Sequence, residues 1–209
     1  MQDLIVLCAD QDTKLGMEAL LRRSQHFGFR AIDFEVYKHD MRDNGVLTDA
    51  HNFLRTQCRR FSNAIAICDF EGCGRERRLP RQGIEEQIEQ RLQSNGWEGR
   101  AAAIVIAPEL EAWVWVDWNT LAGQIGWSGD GAALKNWLAE RGSFKEGESK
   151  PKDPKECLHR ILRQNNRSVS SSLFAGIGQT ADASSCADPA FSKLIGCLRA
   201  WFPLRGNAT

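Results

Sequence analysis

Four stretches of strand length, separated by polar segments, set the pattern of the first half of the chain. Residues 4–9 (LIVLCA), 63–70 (NAIAICDF) and 101–108 (AAAIVIAP) are continuous or nearly continuous apolar runs. Such runs are typical of parallel strands that are covered on both faces. Residues 29–39 (FRAIDFEVYKH) instead alternate between apolar and polar positions, which indicates a half-buried strand nearer the edge of a sheet.

The segments between these strands have helical spacing. Residues 14–28, 48–61 and 81–96 repeat apolar side chains at intervals of three and four, with Gly28 expected as a C-cap and Thr48 or Asp49 as an N-cap. The order is therefore β-α-β-α-β-α-β. This alternation predicts an α/β fold with a mostly parallel central sheet, flanked by helices and joined by right-handed crossovers.

The pattern changes near residue 118, beyond which only helices are predicted. Helical segments are expected within 129–142, 156–166 and 188–202, the last with Asp188 as N-cap and Pro189 at the first helical position. A lysine-rich loop separates the first two of these. We therefore predict an α/β domain at residues 1–118 and a helical C-terminal extension at residues 119–209 that packs on it.

The amino-acid composition limits the functional classes to which this protein can belong. The 209 residues include 27 Lys+Arg and 27 Asp+Glu, so the chain is formally neutral and any nucleic-acid binding requires a local basic patch. The seven cysteines are scattered and form no C-x-x-C pair, which argues against a zinc ribbon. No apolar run is long enough to cross a membrane, and we expect a cytoplasmic protein with reduced thiols.

Acidic residues cluster where three of the predicted strands end. They are Asp10 and Asp12 after the first strand, Asp69 and Glu71 at the end of the third, and Glu109 and Glu111 after the fourth. Alternate residues of an extended chain point to the same side, so Asp69 and Glu71 are expected to project together. Glu109 and Glu111 are expected to project together as well, if their segment stays extended.

Parallel strands place their carboxyl ends at one edge of a sheet, where ligands of such folds bind. Carboxylates gathered there repel one another unless a cation is present. Mg²⁺ or Mn²⁺, held by oxygen ligands, relieves that repulsion, and pairs of such ions serve phosphodiester cleavage. In the alternative interpretation, these acids are solvated in loops or cap the helices that follow.

A cluster of arginines directly follows the third strand. Arg75, Arg77 and Arg78 carry guanidinium groups that bind phosphate oxygens in a bidentate manner. One basic loop beside one acidic site, in a neutral protein, suits a phosphodiester substrate. The alternative is a solvated loop whose arginines, Arg81 among them, pair with Glu76, Glu85 and Glu86.

Taken together, these motifs resemble the toprim domain of topoisomerases, primases and overcoming-lysogenization-defect nucleases. In that pattern an acid ends the first strand and an Asp-x-Asp ends the third; here Asp10 (or Asp12) and "CDFEG" stand at those places. "VIAPELEAWVWVD", "KPKDPKECLHRIL" and "CADPAFSKLIGCLRAW" are similar to segments of small bacterial toprim-like families, so the resemblance spans nearly the whole chain.

The resemblance implies a Rossmann-like toprim fold and an Mg²⁺- or Mn²⁺-dependent nuclease. Asp10, Asp69 and Glu71 would hold metal, with Glu111 as a further ligand or general base, and Arg75, Arg77 and Arg78 would bind phosphate. The substrate class is nucleic acid, with DNA favoured over RNA. Such families often belong to bacterial anti-phage or restriction-like systems, which implies a protein partner from the same defence locus.

Two departures from the toprim pattern leave a second function open. The first acid is Asp where the family usually has Glu, and the second acid of the pair is Glu where it has Asp. Displacements of about an ångström in such a site can lower the rate about a hundredfold. The alternative is a non-catalytic toprim-fold subunit that assembles a defence complex. Topoisomerase activity is not expected, because nothing in this sequence resembles the strand-passage domains and its only tyrosine is Tyr37.

Overall fold

The computed structural model describes residues 1–145, 147–184 and 186–204. The strands are β1 (Gln2–Cys8), β2 (Phe34–Lys38), β3 (Phe61–Asp69) and β4 (Ala101–Ile106). The α-helices are α1 (Gln11–Leu21), α2 (Arg42–Arg55), α3 (Arg81–Leu92), α4 (Trp118–Ile125), α5 (Gly131–Glu140), α6 (Pro154–Gln164), α7 (Ser171–Thr180) and α8 (Pro189–Trp201). A π-type turn (Gln93–Trp97) precedes β4, and a 3₁₀ helix (Leu110–Val116) follows it.

The central sheet confirms the predicted α/β class. Its four strands are all parallel and lie in the order β2-β1-β3-β4, a Rossmann-like arrangement. The alternating segment forms β2 at one edge, as expected from its half-buried pattern. The continuous apolar runs form β1 and β3 in the middle, where both faces need cover.

Two hydrophobic layers enclose the sheet. On one face, Ile5, Leu7 and Ala66 pack with apolar residues of α2 and α3. On the other face, Val6 and Ile104 belong to a larger core that includes α1, the 3₁₀ helix and residues of the C-terminal helices. Because the residues of β1, β3 and β4 alternate between the two layers, each of these three strands contains a continuous apolar run.

Strand β4 forms the other edge, and its outward backbone donors are covered by side chains. The Val105 N–H donates to Glu85 Oε1 at 3.0 Å, and the Ala103 N–H donates to Glu89 Oε1 at 3.0 Å. Lys193 of α8 forms salt bridges with both glutamates, with its Nζ 3.1 Å from Glu85 Oε2 and 2.7 Å from Glu89 Oε1. Glutamates of α3 therefore replace the neighbouring strand that an edge lacks.

The C-terminal helices contribute to the same core as the sheet. Helix α8 packs beside β4, and α7 packs against α1 and α4. Helix α7 was not predicted, because its sequence of serines, glycines and small residues lacks a clear apolar repeat. Gly178 lies where an added Cβ would come within 2.9 Å of Ala19 Cβ, so this glycine permits the close approach of α7 to α1. The boundary near residue 118 stays a prediction.

Two predicted helix ends are wrong. Helix α2 begins at Arg42, not at Thr48 or Asp49; the Thr48 hydroxyl donates to the Asn44 carbonyl from inside the helix. Helix α1 ends at Leu21, well before Gly28, which instead has a φ of +78° in the turns that follow. By contrast, Asp188 caps α8 as predicted, since its carboxylate accepts the Ala190 N–H and Phe191 N–H.

Among the described residues, none of the helices combines the length and the apolar character that a bilayer crossing requires.

Replacing Glu85 with alanine is expected to destabilise the fold. The substitution leaves the buried Val105 N–H without an acceptor and removes the partner of Arg81 and Lys193. The expected loss is roughly 2–4 kcal/mol, or a melting temperature lower by about 8 °C for a chain of this size. Thermal unfolding followed by circular dichroism measures it.

The matched control is Glu86→Ala, which removes an exposed glutamate from the same helix. Its effect on the melting temperature should be small, within about 0.5 kcal/mol in unfolding free energy. Equal melting temperatures for the two variants would contradict the assigned role of Glu85.

Candidate metal centre

The acids predicted at the strand ends lie at the topological switch point of the sheet. Strand β1 connects through α1 to β2 on one side, and β3 connects through α3 to β4 on the other. The crevice outside the carboxyl ends of the two central strands is where open α/β sheets bind ligands. Asp10 follows β1, and Asp69 is the last residue of β3.

Three carboxylates come together at this edge. Asp69, Glu109 and Glu111 each offer one oxygen, and these oxygens all lie within 4.8 Å of one another. Glu111 is buried, with only 6% of its surface exposed, and Asp69 and Glu109 are half-buried. The arrangement can hold a divalent metal ion, because oxygen ligands at this spacing can converge on one hard cation.

Backbone hydrogen bonds between the ends of β3 and β4 set this geometry. The Phe70 N–H donates to the Ile106 carbonyl at 2.7 Å, and the Glu71 N–H donates to the Pro108 carbonyl at 2.9 Å. Glu109 is still extended, with φ −162° and ψ 174°, before the 3₁₀ helix begins. The second pair of acids therefore reaches the site although its segment does not stay extended.

Asp69 is the most strongly perturbed of the three acids. Its Oδ1 is buried and has no hydrogen-bond partner among the described residues. Burial raises the pKa of Asp69 well above its usual value, and the charges of Asp43, Asp10 and Glu111 raise it further. A buried carboxylate oxygen without a donor lies in a site that favours a cation or a proton.

Two further acids border the cluster. Asp10 caps α1, where its Oδ1 accepts the Thr13 N–H at 2.8 Å, so the capping interpretation holds for this residue. Asp43, in the first turn of α2, accepts the Asp69 N–H at 2.8 Å through its Oδ1. Burial raises the pKa of Asp43, and the charge of Asp10 adds to the effect. Each retains a second carboxylate oxygen that these bonds do not use.

A lysine from the C-terminal half reaches the same cluster. The Lys155 ammonium, on α6, is 2.5 Å from Glu109 Oε2 and 3.6 Å from Glu111 Oε1. Burial lowers the pKa of Lys155, but the hydrogen bond to Glu109 and the charge of Glu111 more than offset this and raise it. The pKa of Glu111 is raised by burial, while Lys155 acts in the opposite direction.

Glu71 lies apart from this group. Strand β3 ends at Asp69, so the extended geometry on which the expected pairing of Asp69 and Glu71 depends is lost at once. Glu71 is exposed, and the carboxylates grouped with Asp69 are those of Glu109 and Glu111. Its predicted role as a ligand stays a prediction without support from this geometry.

The arginine loop follows β3 in a series of turns. Gly72 and Gly74 adopt φ values of +90° and +81°, which side chains other than glycine rarely permit. Arg77 and Arg78 are exposed, and Arg75 is half-buried. Within the described part of the chain, none of these three side chains forms an ion pair; it is Arg81 that pairs with Glu85. The alternative in which the loop arginines pair with neighbouring glutamates therefore holds for Arg81, while Arg75, Arg77 and Arg78 form no such pair among the described residues.

Sequence reasoning missed Glu109 as a member of the site, and Asp43 and Lys155 altogether. Glu109 was visible as part of the acidic pair after the fourth strand. Asp43 had a similar signal, because "KHDMRD" places acids after the second strand as well. Lys155 had none, since it lies 46 residues from Glu109 and only the tertiary fold brings the two together.

Asp69→Asn is expected to raise the stability of the metal-free protein. Because folding raises the pKa of Asp69, the folded chain holds a proton more tightly than the unfolded chain at pH values above 3.8. The contribution of Asp69 to the free energy of unfolding is therefore greatest at low pH. It is lost as the pH rises through the pKa that Asp69 has in the folded chain. At neutral pH in EDTA the variant should melt about 3 °C higher than wild type, equivalent to roughly 1 kcal/mol.

Melting temperatures measured between pH 4 and pH 8 test this, with the gap between variant and wild type widening as the pH rises. Asp40→Asn, which changes an exposed acid near the same edge, is the control and should show no such trend. A variant that melts below wild type at neutral pH would contradict the assigned environment of Asp69.

Comparison of the chain with protein-family models, with curated proteins and with solved structures gives no match. The toprim resemblance is therefore neither supported nor refuted by known relatives. Any functional assignment must rest on the residues of this site.

Proposed function

We propose that this chain is a metal-dependent phosphodiesterase that cleaves nucleic acid, with DNA favoured over RNA. One observation carries the proposal: Asp69, Glu109 and Glu111 converge at the switch point of a parallel sheet, and a buried Asp69 oxygen there has no partner among the described residues. Such a constellation is costly for folding and is more often kept for chemistry than for stability.

A hard divalent cation fits this donor set. All three groups are carboxylates, the oxygen ligands that Mg²⁺ and Mn²⁺ prefer. Burial and the negative charges around it raise the pKa of Asp69, and attraction to the ion would offset both effects. When bound, such an ion polarises a phosphoryl oxygen and favours a hydroxide nucleophile at neutral pH. Asp10 and Asp43 add further negative charge beside this cluster.

The protein groups around the cluster suit a phosphodiester. Glu111 is buried beside Asp69 and Glu109, at the place where the toprim resemblance assigns a further ligand or a general base. The loop after β3 offers Arg77 and Arg78 without competing ion pairs in the described structure. Guanidinium groups bind the backbone of either DNA or RNA, so they orient the substrate without choosing its sequence.

The defence setting rests on the toprim resemblance alone. We propose it as the context in which a nuclease of this kind would act, together with a protein partner from the same locus. The competing interpretation, a non-catalytic subunit of toprim fold, becomes an outcome of the following test.

Metal binding and cleavage are expected to depend on the same carboxylates. Saturating Mn²⁺ should raise the melting temperature of wild type, because an ion that binds only the folded state stabilises it. Asp69→Asn and Glu111→Gln should lose that increase, together with the hydrolysis of supercoiled or single-stranded DNA, by roughly a hundredfold or more in rate. Glu71→Gln, which changes an exposed acid two residues away, is the comparison and should retain the increase.

Thermal shift and gel assays with Mg²⁺, Mn²⁺ and EDTA provide the measurements. No metal-induced shift in wild type would overturn the metal site itself. A shift that disappears in Asp69→Asn, without cleavage of DNA or RNA by wild type, would instead favour the non-catalytic subunit.

The loop arginines are expected to act on substrate binding. Arg77→Ala and Arg78→Ala should raise KM several-fold with a smaller effect on kcat, because each removes a group that binds phosphate. The salt dependence of substrate binding should also weaken, by about one unit of slope for each phosphate that the variant no longer binds. Arg59→Ala, an exposed arginine on another loop, is the control. Unchanged KM and salt slope in both loop variants would remove these arginines from the substrate site.

A further inference from the structure

Lys155 occupies an unusual place beside the carboxylate cluster. It lies in the first turn of α6, which begins at Pro154 after the N-cap Asp153. Its ammonium is 2.5 Å from Glu109 Oε2 and 3.6 Å from Glu111 Oε1, while its side chain is 47% exposed. A positive charge of the protein therefore contacts two of the three groups that can ligate a metal ion.

We propose that Lys155 is an internal cation that competes with a divalent metal ion for Glu109 and Glu111. The inference rests on the metal-binding function proposed above and adds a property to it. Metal affinity at this site is set by an exchange of one cation for another, not by the carboxylates alone.

Coulomb repulsion makes the two cations incompatible at close range. A divalent ion binds a carboxylate oxygen at about 2.0–2.6 Å, and the Lys155 ammonium already lies 2.5 Å from Glu109 Oε2. Two positive centres bound to one carboxyl group are only a few ångströms apart, in surroundings less polar than water. Movement of the ammonium away from Glu109 removes this repulsion and therefore favours tight binding of the ion.

The position of Lys155 permits that movement. Its flexible stem is nearly half exposed, so the ammonium can turn into solvent without unfolding α6. The neighbouring basic residues do not duplicate this contact. Lys150 pairs with Asp188 at 3.2 Å, and Lys152 is exposed two residues before the helix begins. Lys152 therefore provides a matched control from the same lysine-rich segment.

The test compares Mn²⁺ binding by wild type, Lys155→Met, Lys155→Arg and Lys152→Met, using isothermal titration calorimetry on the full chain. Lys155→Met should lower the Kd for Mn²⁺ by about fivefold, since one competing charge is removed while the stem is kept. It should also melt below wild type in EDTA, because Glu109 and Glu111 lose their counter-charge. Lys155→Arg, which keeps the charge, and Lys152→Met should bind Mn²⁺ like wild type.

An unchanged or higher Kd in Lys155→Met, with the other variants at the wild-type value, would overturn the competition while leaving the metal site intact. Absence of Mn²⁺ binding by wild type would overturn the proposed metal site and, with it, this inference. Comparable tightening in Lys152→Met would also reject it, since that result would reflect net charge and not the contact with Glu109.

Discussion

The parallel alignment of β3 with β1 and β4 is the constraint on which the rest of the structure depends. Its register pairs Cys8 with Ile67 and Asp69 with Ile106, so the ends of three strands lie at one edge. Carboxylates far apart in the sequence are thereby brought together without any contact between their side chains being required to hold them. The apolar layers on both faces provide the free energy that fixes this arrangement.

Bringing the carboxylates of the site together costs part of that free energy. Three carboxylates with oxygens within 4.8 Å repel one another, and Asp69 Oδ1 accepts no hydrogen bond from any residue that the structure describes. Lys155 from α6 offsets part of this repulsion, because its ammonium contacts Glu109 and Glu111. Local instability of this kind is typical of sites that await a charged ligand.

The sequence was sufficient for the sheet but only partly for the site. Continuous apolar runs identified β1, β3 and β4, and alternation identified β2 as an edge, because burial on two faces or one dictates composition. The choice between Glu71 and Glu109 depended on the residue at which β3 stops, which local pattern does not define. Lys155 depended on how α6 docks against the 3₁₀ helix, a long-range contact that no periodicity encodes.

The glutamates that cover β4 have a consequence for how this protein can associate. Because Glu85 and Glu89 already accept the outward N–H groups of Val105 and Ala103, these donors are not free to bind an incoming peptide. Recognition by strand addition, a common route by which sheet proteins recruit extended segments, is therefore blocked at these two positions. A partner that approaches this side must instead contact the surfaces of α3 and α8, so its specificity would come from side chains and not from backbone pairing.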